Sequence, residues 1–510
     1  PVPSGFTIST EVCNLFYKNN NKISPNILNQ IKTEIKNVEK DSGKKFGDLK
    51  NPLLVSVRSG ARVSMPGMMD TILNLGLNDK TVIGLASKTK NIRFAKDSYR
   101  RFIQMYSNVV LGIENYNFED LIENYKLTKG VLLDTELDEN DWDGLINDFK
   151  KIVKDKTKKI FPQNVFEQLE GAIKAVFISW DSQRAKVYRK INQIPSDWGT
   201  AVNVQSMVFG NMGEDCATGV VFTRNPSNGK NEIYGEYLVN AQGEDVVAGT
   251  RTPRYITENS KRESSSKEIT MEKLFPNIFK ELKKKLRTLE KYYKDMQDVE
   301  FTVEKKKLWI LQTRSGKRTA KSAVKIASDM FKEKLITKKE AILRIDPNSL
   351  DSLLHPTLDE SLKLNVIGKG LPASPGAASG KVVFTSEEAV RLNEMMQDTI
   401  LVRIETSPED IHGMHSAKGI LTARGGMTSH AAVVARGMGR PCVSGSSDIE
   451  IDYVNKVFKS KGQEVREGDI ITIDGSSGKI ILGKVKTIKP EISGNFSKIM
   501  KWSDEIRKLK

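Results

Sequence analysis

The sequence has 510 residues, of which 38% are hydrophobic and 28% are charged, so it predicts a soluble globular protein with several hydrophobic cores. No apolar run approaches the roughly 18 residues that a membrane-spanning helix needs, which argues against membrane insertion. The formal net charge is +16, but 64 acidic residues are interleaved with 80 basic ones, so a lysine-rich nucleic-acid-binding protein is only a weak alternative.

In chain order, residues 1–317 alternate short β-rich runs with helical segments, which predicts a mixed α/β domain. The densest basic run, residues 283–285, has leucines around it at helical spacing and predicts the solvated side of an amphipathic helix. Residues 318–366 are predicted to be a mainly helical linker, in which Thr337 and Glu340 form a capping box.

Strands return over residues 367–486 between glycine turns and predict a second compact domain. Residues 487–510 are predicted to begin a second linker, with an amphipathic helix that runs to Lys510 and stops there without a terminator. The predicted fold class is therefore multidomain α/β (α+β). Because Pro1 is not an initiator methionine and no signal segment follows it, we expect the natural start to lie upstream.

The three cysteines point to a reducing environment. Cys13, Cys216 and Cys442 lie far apart in the sequence and form no C-x-x-C pair. The sequence therefore predicts neither a disulfide framework nor a thiolate metal site, and we expect a cytoplasmic protein.

Two predicted strands, residues 298–304 and 308–314, form a hairpin with polar groups on one face. If Lys306 centres the turn, Glu300 lies opposite Gln312 and Asp298 lies opposite Arg314. Carboxylate and amide oxygens suit Mg²⁺, and a guanidinium matches the edge of a phosphate, so the hairpin is a candidate ATP and magnesium site. An ordinary amphipathic hairpin with a cross-strand ion pair explains the same pattern, and the residues alone leave both interpretations open.

Glycine-containing loops offer further places for a phosphate, although each is a weak signal. Arg58 ends the predicted strand at residues 53–57 and precedes a loop at residues 59–67 that can approach a phosphate closely. The run at residues 376–381 is one residue short of a P-loop and is followed by Val382 where Ser or Thr is required. A Walker-type fold is therefore excluded.

The most specific segment is residues 425–437, in which a glycine turn leads into a short helix. Thr428 or Ser429 is predicted to cap this helix, and Gly437 is predicted to close it in the left-handed conformation. His430 then lies in the first turn, where the helix dipole favours a neutral imidazole and free backbone N–H groups face any anion. A neutral ring nitrogen can attack phosphorus, which suggests a phosphoryl carrier. An ordinary histidine in a cap region fits the local physics as well.

These segments together resemble the pyruvate phosphate dikinase family. The histidine motif by itself is similar to several phosphoenolpyruvate-using enzymes, including phosphoenolpyruvate synthase and the phosphotransferase-system enzyme I, whereas the segments nearer the start single out the dikinase. The matching segments occur in family order and are residues 56–79, 197–209, 219–253, 298–319, 371–380, 405–413 and 425–437.

The resemblance implies four parts: an ATP-grasp nucleotide-binding domain (1–317), the helical linker (318–366), a swivelling β/β/α phosphohistidine domain (367–486) and the start of a second linker (487–510). In that family, ATP gives its β,γ-pyrophosphoryl group to the histidine and inorganic phosphate removes the γ group as pyrophosphate. The phosphohistidine then converts pyruvate to phosphoenolpyruvate (PEP) at a distant barrel. The full-length protein is expected to be a homodimer.

By motif match, the resemblance implies that His430 accepts the phosphoryl group. It assigns ATP binding to Arg58, Asp298, Glu300, Gln312 and Arg314, and Mg²⁺ binding to the carboxylates and the amide among them, Asp298, Glu300 and Gln312. A monovalent cation is a further candidate cofactor. The resemblance also assigns Thr428 as the position whose phosphorylation regulates plant members.

Two departures from the family pattern bear on activity. The family's glycine-rich loop with its ATP-binding lysine precedes the match to residues 1–6, and the barrel that binds pyruvate and PEP follows the last match, so this sequence contains neither. We therefore expect it to carry out at most the phosphohistidine half of the reaction. The alternative enzyme is a water-using relative such as PEP synthase, which consumes no inorganic phosphate and releases no pyrophosphate.

Overall fold

The computed structural model describes residues 1–65, 67–131, 134–248, 251–262, 268–350, 357–358, 364–488 and 494–508. The chain divides into two units, Val2–Val208, here the N-terminal unit, and Phe209–Lys510 with Pro1, here the C-terminal unit. In the described ranges, no helix has both the length and the apolar character needed to cross a membrane.

The N-terminal unit is built on a four-stranded antiparallel sheet in the order β1-β6-β4-β5, beside a short parallel pair, β2 and β3. Its strands are β1 (Gly5–Ile8), β2 (Lys45–Phe46), β3 (Pro52–Leu53), β4 (Val55–Gly60), β5 (Thr71–Leu75) and β6 (Ala201–Ser206). Its helices are α1 (Thr10–Lys18), α2 (Pro25–Ser42), α3 (Thr81–Thr89), α4 (Ile92–Val109), α5 (Tyr116–Lys129), α6 (Glu139–Thr157), α7 (Val165–Ser179) and α8 (Gln183–Ile191).

Local sequence explains why these helices begin and end where they do. Helix α2 starts after Ser24, whose hydroxyl accepts a hydrogen bond from the Ile27 N–H, and it ends at Gly43, which has φ of 65°. The side chain of Asn91 caps α4 in the same way, and α4 buries Phe102 completely against the edge of Phe161. Aromatic burial of this kind stabilises the helical layer.

The C-terminal unit begins with a five-stranded antiparallel sheet, here the hairpin sheet, in the order β11-β10-β7-β8-β9. Its strands are β7 (Ala217–Phe222), β8 (Tyr234–Val239), β9 (Arg254–Tyr255), β10 (Gln297–Glu304) and β11 (Lys307–Ser315). The helices of this region are α9 (Gly243–Ala248), α10 (Glu258–Arg262), α11 (Met271–Leu274) and α12 (Pro276–Tyr293).

Helix α12 covers one face of the hairpin sheet. It buries Leu282 and Leu286 in the same apolar cluster as Phe301 of β10 and Tyr237 of β8. The lysines at residues 283–285 are exposed on its outer side, which confirms the amphipathic helix predicted there. Because side chains alternate along a strand, the opposite face of the sheet is free to carry polar groups.

Three helices follow: α13 (Ala320–Lys332), α14 (Lys338–Leu343) and α15 (Pro347–Leu350). Arg224 follows β7 and is fully buried. It pairs with Glu290 of α12 at 2.9 Å and with Glu333 at the end of α13 at 2.6 Å, and so links this segment to the hairpin sheet. The predicted capping box of Thr337 and Glu340 is confirmed at the start of α14. A short strand, β12 (Thr357–Leu358), comes next.

Residues 364–488 contain an eight-stranded sheet, here the histidine sheet, in the order β13-β23-β22-β15-β16-β17-β18-β14, and a three-stranded sheet, β19-β20-β21. The strands are β13 (Val366–Lys369), β14 (Leu371–Ser374), β15 (Ala377–Val383), β16 (Thr399–Arg403), β17 (Gly419–Thr422), β18 (Cys442–Ser444), β19 (Ile449–Asp452), β20 (Val457–Ser460), β21 (Gln463–Arg466), β22 (Ile470–Asp474) and β23 (Lys479–Leu482). The helices are α16 (Ser386–Glu394), α17 (Ile411–Ser416) and α18 (His430–Met438).

The parallel run β15-β16-β17-β18 forms the centre of the histidine sheet. Apolar side chains of these strands, such as Val382, Ile400 and Leu421, are completely buried. This continuous apolar character is typical of parallel strands that are covered on both faces.

The last elements are β24 (Thr487–Ile488) and α19 (Gly494–Ile506). Strand β24 pairs with β12, and α19 packs on α13, where the rings of Phe331 and Trp502 meet edge to face with centroids 4.7 Å apart. The helix predicted to reach Lys510 ends at Ile506, and Lys510 itself lies outside the described residues.

Candidate functional site

The predicted hairpin is present, and its polar pairs are confirmed. Asp298 of β10 lies opposite Arg314 of β11, and Glu300 lies opposite Gln312. The turn differs from the prediction, because it consists of two residues, Lys305 and Lys306, both with positive φ, rather than being centred on Lys306.

A β-bulge reconciles the shorter turn with the predicted pairs. Between the turn and Phe301 the register is shifted by one residue, since Phe301 pairs with Ile310 whereas Glu300 pairs with Gln312. Leu311 is therefore the extra residue on β11. The bulge returns the far end of the hairpin to the register in which the four polar side chains share one face.

Asp298 is the most buried member of this group, with an exposed fraction of 3%. Its Oδ2 accepts a hydrogen bond of 2.7 Å from Arg314 Nε, and Arg314 Nη2 lies 3.9 Å from Glu300 Oε1. Burial raises the pKa of the Asp298 carboxyl above its usual value, and the Arg314 guanidinium opposes that rise. Asp298 Oδ1 is buried and has no hydrogen-bond partner among the described residues.

Arg58 belongs to the N-terminal unit. It lies in β4, opposite Thr71 of β5 and Asn203 of β6, and is partly exposed. Its assignment to the ATP site stays a prediction.

The predicted histidine helix is α18, and it begins at His430. Ser429, not Thr428, is its N-cap, and the Ser429 hydroxyl accepts a hydrogen bond from the Ala432 N–H. The predicted closing residue was wrong: Gly437 lies within the helix, and Gly439, with φ of 65°, ends it. The Gly439 and Arg440 N–H groups bond back to the carbonyls of the last turn, which is the usual left-handed closure.

His430 is held through one ring nitrogen. Its Nδ1 lies 3.0 Å from the hydroxyl of Thr406, which follows β16 and is only 8% exposed. Whichever group donates this hydrogen bond also decides the tautomer of the imidazole. If Nδ1 carries the proton, the lone pair is on Nε2, which is itself buried.

The histidine loop, defined as residues 425–429, packs on the polar face of the hairpin sheet. Glu236 of β8 pairs with Val220, and Val220 pairs with Glu300, so the two glutamates share this face. The Glu236 carboxylate accepts hydrogen bonds from the Met427 N–H at 3.1 Å and from the Thr428 hydroxyl at 3.2 Å. Burial raises the pKa of Glu236, while these two hydrogen bonds oppose the rise.

Arg436 of α18 approaches the same face. It is 2% exposed, and its guanidinium lies over the ring of Phe222, 5.8 Å from the centroid. Phe222 is the neighbour of Asp298 across the sheet. Burial lowers the pKa of Arg436, and the nearby negative groups, among them Asp298 and Glu236, oppose that effect.

Sequence reasoning did not single out Glu236, Thr406 or Arg436 as site residues. The only local signal for Glu236 was an acid in the middle of an otherwise apolar strand, YGEYLV. A charge at such a position needs a specific partner. The described residues contain no group of three or more His, Cys, Asp or Glu side chains with the spacing of a metal site, so any metal ion at the hairpin would need amide or phosphate oxygens as well.

Comparison with known protein families gives a match for each half of this site. The model for the pyruvate phosphate dikinase AMP/ATP-binding domain matches residues 1–275 and 257–335, and the model for the mobile domain of PEP-utilising enzymes matches residues 395–478.

The chain is also similar over its whole length to curated pyruvate, phosphate dikinases. It is 56% identical to that of Rhizobium meliloti (strain 1021) over 509 residues and 56% identical to that of Clostridium symbiosum over 513 residues. It is 50% identical to the chloroplastic protein of Flaveria pringlei over 511 residues. All of this chain is covered in each case, but it spans only 57% of the two bacterial relatives and 52% of the plant one.

Proposed function

Because the chain belongs to the pyruvate phosphate dikinase family, we propose that it transfers a phosphoryl group from ATP to His430. This is the nucleotide half of the reaction ATP + pyruvate + phosphate = AMP + PEP + pyrophosphate. The observation that carries the proposal is the packing of the histidine loop on the sheet face that holds Asp298 and Glu300. A carrier histidine and a nucleotide site must meet in this way for direct transfer.

The proposed step uses the tautomer in which His430 Nδ1–H donates to the Thr406 hydroxyl. The Nε2 lone pair then forms a bond to the β-phosphorus of ATP, the bond from that phosphorus to the α,β-bridging oxygen breaks, and AMP leaves. Inorganic phosphate next takes the γ-phosphoryl group, which releases pyrophosphate and leaves phosphohistidine. The backbone N–H groups at the start of α18 favour the negative charge that His430 gains.

The residues of the hairpin fit a Mg²⁺ ion. The buried Asp298 Oδ1, which lacks a hydrogen-bond partner in the described part of the chain, is the strongest support. Glu300 and the Gln312 amide would complete the protein's share of the ligands, and Arg314 would bind phosphate oxygens. The motif match alone extends the proposed ATP-binding role to Arg58. Bound there, the ion would neutralise charge on the phosphates. We assign no residue to a monovalent cation.

The remaining family properties are carried over as proposals. Residues 1–317 would form the ATP-grasp domain and 367–486 the swivelling phosphohistidine domain, with the linkers at 318–366 and 487–510 as its hinges. Pyruvate and PEP would bind to the barrel domain of the full-length protein, which would be a homodimer. Phosphorylation of Thr428 would regulate transfer. Cys13, Cys216 and Cys442 are all buried free thiols, which supports a reducing, cytoplasmic location.

Labelling with β-³²P-ATP tests the proposed reaction. The chain is incubated with Mg²⁺ and phosphate, and acid-labile, base-stable label is scored on wild type and on His430→Ala. His412→Ala is the matched control, because His412 is an exposed histidine of the same sheet region. Label in wild type and in the control, but not in His430→Ala, is the expected result. An unlabelled wild type with intact ATP binding would refute it.

Omitting phosphate separates the dikinase from the water-using alternative. In the proposed reaction, pyrophosphate release requires inorganic phosphate. Production of free phosphate from the γ position without added phosphate would favour a PEP synthase-like reaction instead.

A further inference from the structure

We infer that Glu236 is a positioning residue for the proposed transfer: its carboxylate is the receptor on the hairpin sheet that holds the histidine loop in place. The expected effect on phosphoryl transfer rests on the proposed function. The contact between Glu236 and the histidine loop does not depend on which reaction the chain catalyses. Glu236 would act through the loop and would not touch the reacting atoms.

The first support is the pair of hydrogen bonds, which use both carboxylate oxygens. Oε1 accepts from the Met427 N–H and Oε2 accepts from the Thr428 hydroxyl. Both donors lie within three residues of His430, so the contact fixes the loop immediately before the helix that carries the imidazole. The buried position lowers the local dielectric, which strengthens both hydrogen bonds.

The second support is the fit at Gly426. A Cβ atom on this residue would lie 2.3 Å from Glu236 Oε2 and 2.9 Å from the Pro253 ring. The loop backbone therefore lies directly against the carboxylate, at a distance that only glycine allows. A close approach of this kind indicates a fitted contact rather than two surfaces that happen to be near each other.

The third support is that the peptide groups of Met427 bond to two buried charged side chains, one on the hairpin sheet and one on α18. Its N–H donates to Glu236 from the sheet, and its carbonyl accepts from Arg436 Nη2 of α18. Glu236 and Arg436 are each 2% exposed. A buried carboxylate without a partner is costly, so a carboxylate at this position makes physical sense only when the loop and Arg436 are docked against it.

The sheet geometry gives the contact its functional meaning. Glu236 shares the polar face with Glu300, through Val220 between them. Docking the loop on Glu236 therefore brings His430 to the strands that carry the predicted ATP residues. Loss of the receptor should slow phosphoryl transfer and leave the affinity for ATP nearly unchanged, because productive orientation matters more to the rate than to binding.

The test compares Glu236→Ala and Glu236→Gln with Glu232→Ala, a matched control on a partly exposed glutamate just before β8. Three quantities are measured on the whole chain: ATP affinity, the single-turnover rate of phosphohistidine formation, and hydrogen exchange of residues 425–429. We expect Glu236→Ala to slow transfer at least about 10-fold and to deprotect the loop, with ATP affinity changed less than about 3-fold. Glu236→Gln, which retains one acceptor oxygen, should fall between it and wild type.

A Thr428→Val variant completes a double-mutant cycle. If Thr428 acts through Glu236, its effect on loop protection should largely disappear in the Glu236→Ala background. Wild-type exchange and transfer rates in Glu236→Ala, or a loss of ATP affinity as large as the loss of rate, would overturn the inference. Unlabelled wild type together with Glu236-dependent loop protection would instead refute the proposed reaction while leaving the docking contact in place.

Discussion

Replacing Thr406 with valine tests how much the orientation of the imidazole contributes to transfer. Valine has nearly the same shape but cannot hydrogen-bond, and the contact it removes is the 3.0 Å bond to His430 Nδ1. One such bond contributes about 0.5–1.5 kcal/mol, and each 1.36 kcal/mol changes a rate tenfold. Phosphohistidine formation should therefore slow about 2- to 13-fold, with no loss of ATP affinity. Rapid quenching of a single turnover with labelled ATP measures the rate.

Thr406→Ser is the control for this experiment, because it keeps the hydroxyl and removes only a methyl group. It should retain most of the wild-type rate. An unchanged rate in Thr406→Val, or a rate in Thr406→Ser as slow as in Thr406→Val, would show that the hydroxyl does not orient the ring.

The remaining predictions concern a carboxylate of the hairpin, a buried arginine and a glycine that ends a helix. Asp298→Asn should lower Mg²⁺-dependent labelling at least about 100-fold while circular dichroism shows an intact fold, and unchanged labelling would contradict the metal assignment. Arg224→Met should lower the free energy of unfolding by about 3 kcal/mol in urea titration, because two carboxylates lose their buried partner. Gly439→Ala should lower the free energy of unfolding by about 1 kcal/mol, because Gly439 has φ of 65°, which disfavours a residue with a Cβ atom. Gly437→Ala should not lower it, because a Cβ atom on Gly437 would lie in open space.

The parts of the site that depend on strand alternation could be predicted from the sequence. The pairs at Asp298 and Glu300 followed from alternation and an approximate turn position. The two-residue turn and the bulge at Leu311 could not be predicted. The turn shifts the strand register by one residue and the bulge shifts it back, so the distant pairs are the same as in a hairpin without either feature. The end of α18 was missed for a related reason: Gly437 and Gly439 are equally plausible locally, and the choice depends on how far the helix continues.

Glu236 shows the limit of local reasoning most clearly. Its partners Met427 and Thr428 are more than 190 residues away in sequence, as the hydrogen-bond separations of 191 and 192 show. An acid in a buried strand could be recognised as unusual, but only the tertiary structure identifies the group that satisfies it. The family resemblance identified His430 and the hairpin residues, because they lie in recognisable motifs. It did not identify Glu236, whose contact joins the histidine loop to the hairpin sheet.

The chain segments on either side of residues 364–486 pack against each other, which bears on the proposed swivelling of the histidine sheet. Strand β12 pairs with β24, and Phe331 of α13 packs on Trp502 of α19, so the outgoing and returning chain leave from one common base. Arg224 anchors the start of that base to the hairpin sheet. If the histidine sheet swivels as proposed, its two adjacent attachments would restrict it to rotation about one pivot, and this would keep the histidine at a high effective concentration along its path.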